Sequence, residues 1–359
     1  MYTLDKDNMQ IIPKKTVSVE INWQKELANC FTTPESLLEY LCIDPTQYTE
    51  HFAARGLFSM RVPRPFADLM EPGNWHDPLL QQVLPRVEEF DEVAGFVSDP
   101  LEEQDNTQAG ILHKYLNRAL LIVKGGCAVN CRYCFRRDFP YQENAVNKQK
   151  WLEVMDYIRA DSNLDEIILS GGDPLMAKDS HLQWLSEQIT SITHIKRIRI
   201  HTRLPVVIPQ RIDESFLQWF TALPQQKVMV FHINHANEVS DALIERCALL
   251  RQSGVTLLNQ AVLLKNINDT ADKQIALNEA VFAAGIMPYY LHLLDKVKGA
   301  AHFDVAQASA ITMMAEVIKR QPGYLVPKLV REIAGQPGKT PIDLGLEPAY
   351  PHSGNNKQN

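Results

Sequence analysis

Short apolar runs rich in β-branched residues recur in this chain at intervals of roughly 30 residues, each followed by a segment with helical spacing. The runs fall at residues 119–124, 166–169, 195–201, 227–233, 255–263 and 287–294. The helical segments fall at residues 151–160, 181–192, 213–223, 241–252, 271–284 and 305–320. Parallel strands need crossover connections, and this alternation supplies them, so the pattern predicts an α/β fold with a parallel sheet and right-handed crossovers. Six units suit either an incomplete (β/α)6 barrel or a doubly wound sheet, and the barrel is favoured.

The ends of the runs add a second constraint. Functional groups of β/α barrels sit at the C-terminal ends of the strands. Here the first run enters Gly125-Gly126-Cys127, the second Ser170-Gly171-Gly172-Asp173-Pro174 and the third His201-Thr202-Arg203. The fourth ends in His232-Ile233-Asn234-His235, the fifth holds Asn259-Gln260 and the sixth ends in His292-Leu293-Leu294-Asp295-Lys296. A barrel would bring all six to one rim. Residues 1–112 read as a mainly helical region, 113–320 as the barrel, 321–350 as a Gly/Pro-rich C-terminal segment and 351–359 as a disordered tail.

With 359 residues, 45% of them apolar, the chain can bury a large core without disulfides. The net charge of −7 argues against general electrostatic capture of nucleic acid or anionic membrane. No apolar run is long enough to span a bilayer and the first residues lack a signal core, so the expected location is cytoplasmic.

Three of the six cysteines, Cys127, Cys131 and Cys134, form C-x3-C-x2-C, while Cys30, Cys42 and Cys247 are scattered and read as ordinary buried thiols. In a cytosolic chain such a cluster points to metal or catalysis. Structural zinc prefers four ligands, commonly two C-x2-C pairs, and no second pair exists. A 4Fe–4S cube held by three thiolates leaves one iron open to a ligand.

The spacing, with Tyr133 before the last cysteine and the loop after a first strand, resembles the radical S-adenosylmethionine signature. That resemblance implies a partial barrel, a 4Fe–4S cluster on Cys127, Cys131 and Cys134, and S-adenosylmethionine on the open iron. It places Ser170, Gly171, Gly172 and Asp173 beside the methionyl amino group, where glycines allow close approach and a carboxylate accepts from an ammonium. His232 and Gln260 match further positions that touch S-adenosylmethionine. His201, His232, His235 and His292 could also be read as a hydrolase-type metal site.

Lys339 lies in Gly338-Lys339-Thr340 but is not a phosphate-loop lysine, because Ile333 stands where the first glycine would be. Residues 323–341 instead resemble the C-terminal segment of the lysine 2,3-aminomutase family. The resemblance makes Lys339 the Schiff-base lysine for pyridoxal 5′-phosphate and 321–350 the segment that binds this cofactor. It puts Lys114, Tyr115 and Arg118 at the cofactor's phosphate and ring, and Arg136 at the carboxylate of L-lysine. Asp295 and Glu332 match two aspartates that hold the substrate's ε-ammonium, Glu332 being a departure in length.

Residues 125–137, 170–179, 232–238 and 289–303 resemble specifically the elongation factor P branch of that family. The implied reaction is conversion of (S)-α-lysine to (R)-β-lysine, which a β-lysine ligase attaches to elongation factor P, with an electron-donor protein as a further partner. An aminomutase for another amino acid and a non-enzymatic iron–sulfur protein are the rival readings.

Overall fold

The computed structural model describes residues 22–104 and 108–346. The segment expected to be a disordered tail, and the end of the 321–350 segment, lie outside the described residues.

Nine strands form one sheet whose spatial order follows the chain: β1 (Ile111–Tyr115), β2 (Arg118–Lys124), β3 (Glu166–Gly171), β4 (Arg197–Thr202), β5 (Gln226–Phe231), β6 (Thr256–Val262), β7 (Met287–His292), β8 (Lys328–Arg331) and β9 (Thr340–Pro341). β2 to β8 pair in parallel, while β1 and β9 run antiparallel at the two edges. A doubly wound sheet reverses its strand order at a switch point, and no reversal occurs here, so the partial barrel is the correct alternative. The six expected strands are β2 to β7. β8 adds a seventh parallel strand that the sequence pattern hides, because four residues between prolines and glycines carry too little periodicity to separate from a loop.

Each pair of consecutive parallel strands from β2 to β8 is joined through a helix: Lys148–Ala160, Asp179–Thr190, Glu214–Thr221, Asp241–Gln252, Ala271–Ala283 and Gln307–Arg320. Four of these begin where a side chain caps the first free N–H groups: Asn147, Asp213, Ser240 and Thr270. Side chains alternate across the strands. Ile167, Leu169, Ile198 and Ile200 are wholly buried. Burying each such side chain contributes roughly 1.5–3 kcal/mol. The opposite face carries Arg118, Ile168, Ser170, Arg199, His201, Leu258, Gln260, Tyr290 and His292, all of which line one cavity of about 590 Å³. Residues from β1 through to Lys339 beside β9 share that cavity, which is what a curled, open barrel requires.

The N-terminal region is less helical than expected. Among its described residues the helices are short, as in Trp23–Ala28 and Pro34–Tyr40, with 3-10 turns and loops between them. Prolines at 63, 65, 72, 78 and 85 interrupt any longer run. The strand β1 also begins before residue 113, where the barrel was expected to start. Phe31, Leu37, Leu38, Val62, Phe66 and Leu80 belong to the same continuous core as the sheet. Of the three scattered cysteines Cys247 is buried and Cys30 half-buried, but Cys42 is exposed. Cys42 has φ +57, a left-handed turn beyond a helix end that points its side chain outward.

Candidate active site

The cysteine loop leaves β2 and is braced from the N-terminal region. Arg132, fully buried, donates from Nε and Nη2 to Glu89 at 2.8 and 2.6 Å and from Nη1 to the Phe58 carbonyl at 2.7 Å. Arg137 joins the same carboxylate at 2.9 Å, so it is a structural partner of Glu89. Arg61 Nη1 donates to the Cys127 carbonyl at 3.1 Å. Cys127, Cys131 and Cys134 all line the cavity as free thiols. Burial raises the Cys127 and Cys134 thiols, Cys134 to about 11. Among the described residues no three His, Cys, Asp or Glu side chains close around a single metal ion. That counts against the zinc and four-histidine readings. His201, His232 and His292 do line the cavity, whereas His235 does not line it and instead caps a 3-10 turn. A cube takes each thiolate on a different iron and needs no such common point.

The loop after β3 lies against the cysteine loop. Gly172 N–H donates to the Lys124 carbonyl at 2.7 Å and Asp173 N–H to the Gly126 carbonyl at 3.0 Å. Gly171 has φ +121, and a Cβ there would stand 2.5 Å from the Lys124 carbonyl oxygen. Gly171→Ala is therefore expected to lower the melting temperature, measured by calorimetry. Asp173 is engaged by the fold itself. Its buried carboxylate accepts from Thr202 Oγ1 at 2.8 Å and from the N–H groups of Leu175, Arg203 and Leu204 at 3.0, 2.8 and 2.9 Å. It ties the ends of β3 and β4 together and has little capacity left for an ammonium. On β6, Gln260 Nε2 stands 3.0 Å from His232 Nε2. Burial, with Arg203 and Lys339 nearby, pushes His232 down to about 3, so its neutral ring accepts that bond.

At the other edge of the sheet, β8 and β9 form a hairpin with Arg331 opposite Thr340. The next residues outward, Glu332 and Lys339, therefore face each other and form an ion pair. Tyr115 of β1 donates to Glu332 Oε1 at 2.8 Å. Burial alone would raise the Glu332 carboxyl, but Lys339 and Tyr115 bring it below its ordinary value. Glu332 is thus engaged with Lys339 and Tyr115. Asp295 lines the cavity and, among the described residues, its carboxylate has no hydrogen-bond partner. Burial and the Glu332 charge raise it to about 7.

The basic residues divide between paired and available. Lys114 pairs with Glu103 at 2.8 Å and stands 4.0 Å from Glu332. Arg118 contacts no carboxylate among the described residues; its guanidinium lies 4.1 Å over the Tyr115 ring, in the cavity wall. Arg136 donates from Nε and Nη2 to Glu103 at 2.6 and 3.1 Å and from Nη1 to the Gly171 carbonyl at 3.3 Å. Five N–H groups less these three leave one on Nη1 and one on Nη2, an end-on fork matched to a carboxylate. Glu103 lies in a segment that carries no motif, so the sequence did not single it out; it is buried. The pairing of Arg203 with Tyr133 of the cysteine loop was also hidden, since nothing in sequence spacing links residues so far apart.

A family model, the radical SAM superfamily, matches residues 121–275. The chain is 54% identical to an L-lysine 2,3-aminomutase of Escherichia coli strain K12, over 94% of this chain and 98% of that protein. It is 51% identical to an L-lysine 2,3-aminomutase of Haemophilus influenzae, over 92% of this chain and 99% of that protein. With an L-lysine 2,3-aminomutase of Clostridium subterminale it shares 30% identity, over 89% of this chain and 77% of that protein. A cysteine loop, a glycine loop and a rim of strand ends around one cavity, together with this similarity along nearly the whole chain, place the protein in the L-lysine 2,3-aminomutase family, isomerases of the radical S-adenosylmethionine superfamily.

Proposed function

We propose that this chain isomerises L-lysine to β-lysine, with a 4Fe–4S cluster on Cys127, Cys131 and Cys134 and pyridoxal 5′-phosphate on Lys339, and that the product serves the modification of elongation factor P in the cytoplasm. The observation that carries this is that the cysteine loop after β2 and Lys339 beside β9 line the same cavity. When bound, the cluster and S-adenosylmethionine supply a radical that abstracts hydrogen, and pyridoxal phosphate supplies a π-system across which nitrogen moves from C2 to C3. The chain's own residues bind and orient. The open fork of Arg136, fixed side-on by Glu103, takes the substrate carboxylate. Asp295 takes the ε-ammonium. Arg118, the cavity-lining cation with no carboxylate partner among the described residues, takes the cofactor phosphate. Ser170, Gly171 and Gly172 give backbone approach to S-adenosylmethionine, and His232 and Gln260 hold it from the opposite wall. The elongation factor P role is supported by the resemblance of residues 125–137, 170–179, 232–238 and 289–303.

Anaerobic turnover tests the reading. The cluster is reconstituted, pyridoxal phosphate, S-adenosylmethionine and a one-electron reductant are added, and L-lysine, L-glutamate and L-arginine are supplied in parallel. β-Lysine, resolved by chromatography and mass, is expected. Isomerisation of glutamate or arginine in its place would overturn the substrate, and no isomerisation of any of the three would overturn the activity.

Asp295 gives a signed pH prediction. Its folded value of about 7 lies above the ordinary 3.8, so the folded chain keeps a proton that the unfolded chain has released. Stability therefore falls as pH rises across that window, and Asp295→Asn removes the penalty. The variant is expected to melt higher than the parent at pH 8, with the gap closing below about pH 4. Lysine binding runs the other way: the parent's KM for lysine falls as pH rises through about 7, and Asp295→Asn raises KM and flattens that dependence. Steady-state kinetics over pH, beside differential scanning calorimetry of the ligand-free chain, check both halves.

A further inference from the structure

Beneath the cysteine loop lies a buried polar network that the proposed chemistry does not use. Arg203, at the end of β4, is 5% exposed and donates from Nη1 to the Cys131 sulfur at 2.7 Å. The same nitrogen meets the Tyr133 hydroxyl. Nη2 donates to Gln82 Oε1 at 2.7 Å and to Glu238 Oε2 at 2.9 Å. Glu238 is fully buried and also accepts from Gln82 Nε2 and the Asn234 N–H, both at 3.0 Å. The Arg203 backbone N–H is held by Asp173, and its guanidinium lies 5.5 Å over the Phe66 ring. Both terminal nitrogens are held by these partners, so the cation is kept against the sulfur. Of the three loop cysteines, Cys131 alone accepts a hydrogen bond from a charged side chain among the described residues.

We infer that Arg203 is a positioning residue that raises the reduction potential of the cluster through its hydrogen bond to the Cys131 sulfur, with the buried Glu238 as its counterweight. The inference rests on the assignment of Cys131 as a cluster ligand. Reduction adds one electron to the cluster, from a low-potential one-electron donor, and increases its negative charge. A fixed cation donating to a ligating sulfur stabilises that reduced state more than the oxidised one, and low surrounding dielectric magnifies the difference. Glu238, on the other arm of the same guanidinium, offsets part of the positive field. The two residues must therefore act with opposite sign.

The test is an anaerobic redox titration of the reconstituted full chain without S-adenosylmethionine, with the reduced cluster followed by electron paramagnetic resonance. Poised at the parent's midpoint, Arg203→Met is expected to lower the ratio of reduced to oxidised cluster at least tenfold, about 59 mV for one electron. Arg203→Lys, which keeps a charge but only one arm, should fall between the two. Glu238→Gln should raise the ratio. If Arg203→Met does not fold, the upward shift in Glu238→Gln remains the readout. Unchanged midpoints, or shifts of the same sign in both positions as loosening of the loop would produce, overturn the inference. A parent chain that takes up no cluster overturns the underlying assignment instead, because the variants are then never compared.

Discussion

Lys339→Ala is expected to abolish β-lysine formation, by about 10³-fold or more, while S-adenosylmethionine cleavage persists at a basal rate. Lys339 is the one lysine in the cavity wall carried by the β8–β9 hairpin, and its amine is held against Glu332. The cysteine loop stands on β2, near the other end of the strand order, and among the described residues shares no hydrogen bond with that hairpin. Cluster assembly should therefore survive. Chromatography of β-lysine and of 5′-deoxyadenosine from the same reaction separates the two outcomes, and β-lysine at the parental rate would remove Lys339 from the scheme. The variant also carries a stability signature. Glu332 is held below its ordinary 4.5, so its ion pair stabilises the fold above that pH and the contribution is lost as pH falls through the folded value. Removing the lysine strands a half-buried carboxylate, so the loss in melting temperature should be present at pH 7 and shrink in acid.

Cys131→Ala should remove both products together. Two thiolates remain, and a cube held by two protein ligands loses iron and the geometry that leaves a single iron open. Iron content, visible absorption and deoxyadenosine are all expected to fall to background. The loop itself should persist, since the fully buried Arg132–Glu89 pair anchors it independently of the thiols. Circular dichroism close to the parent's would show that chemistry and not folding has been lost. Parental deoxyadenosine release from this variant would sink the cluster assignment.

Much of this architecture is legible in the chain because a parallel barrel repeats one instruction. The six apolar runs and their helices are separated by polar caps and turns, and β2 to β7 appear where the runs stand. What the pattern could not carry were features without period. β8 is four residues long, and β1 is a five-residue hairpin edge outside the six runs. The motif residues Cys127, Cys131, Cys134, Gly171, Gly172, Gln260 and Lys339 do meet in one cavity. Their pairings did not follow from sequence. Asp173 spends its carboxylate on Thr202 and backbone N–H groups, and Glu332 faces Lys339 because hairpin register puts it there. Glu103 fixes Arg136 from a segment with no motif at all. Charge partners across a fold are set by three-dimensional register, which residue spacing along one strand does not encode.

The strand order has a consequence for biosynthesis. Because β1 to β9 are laid side by side in the order of the chain, a ribosome makes the edge that carries the cysteine loop first and the wall carrying Lys339 last. The thiols and that lysine are separated by about 200 residues, on the order of ten to forty seconds of elongation at ~5–20 residues per second. For that interval the cysteine loop faces an unfinished wall, open to iron donors and to oxidants alike. Metal loading at the start of that window meets an open trough; loading after it must enter between walls already in place.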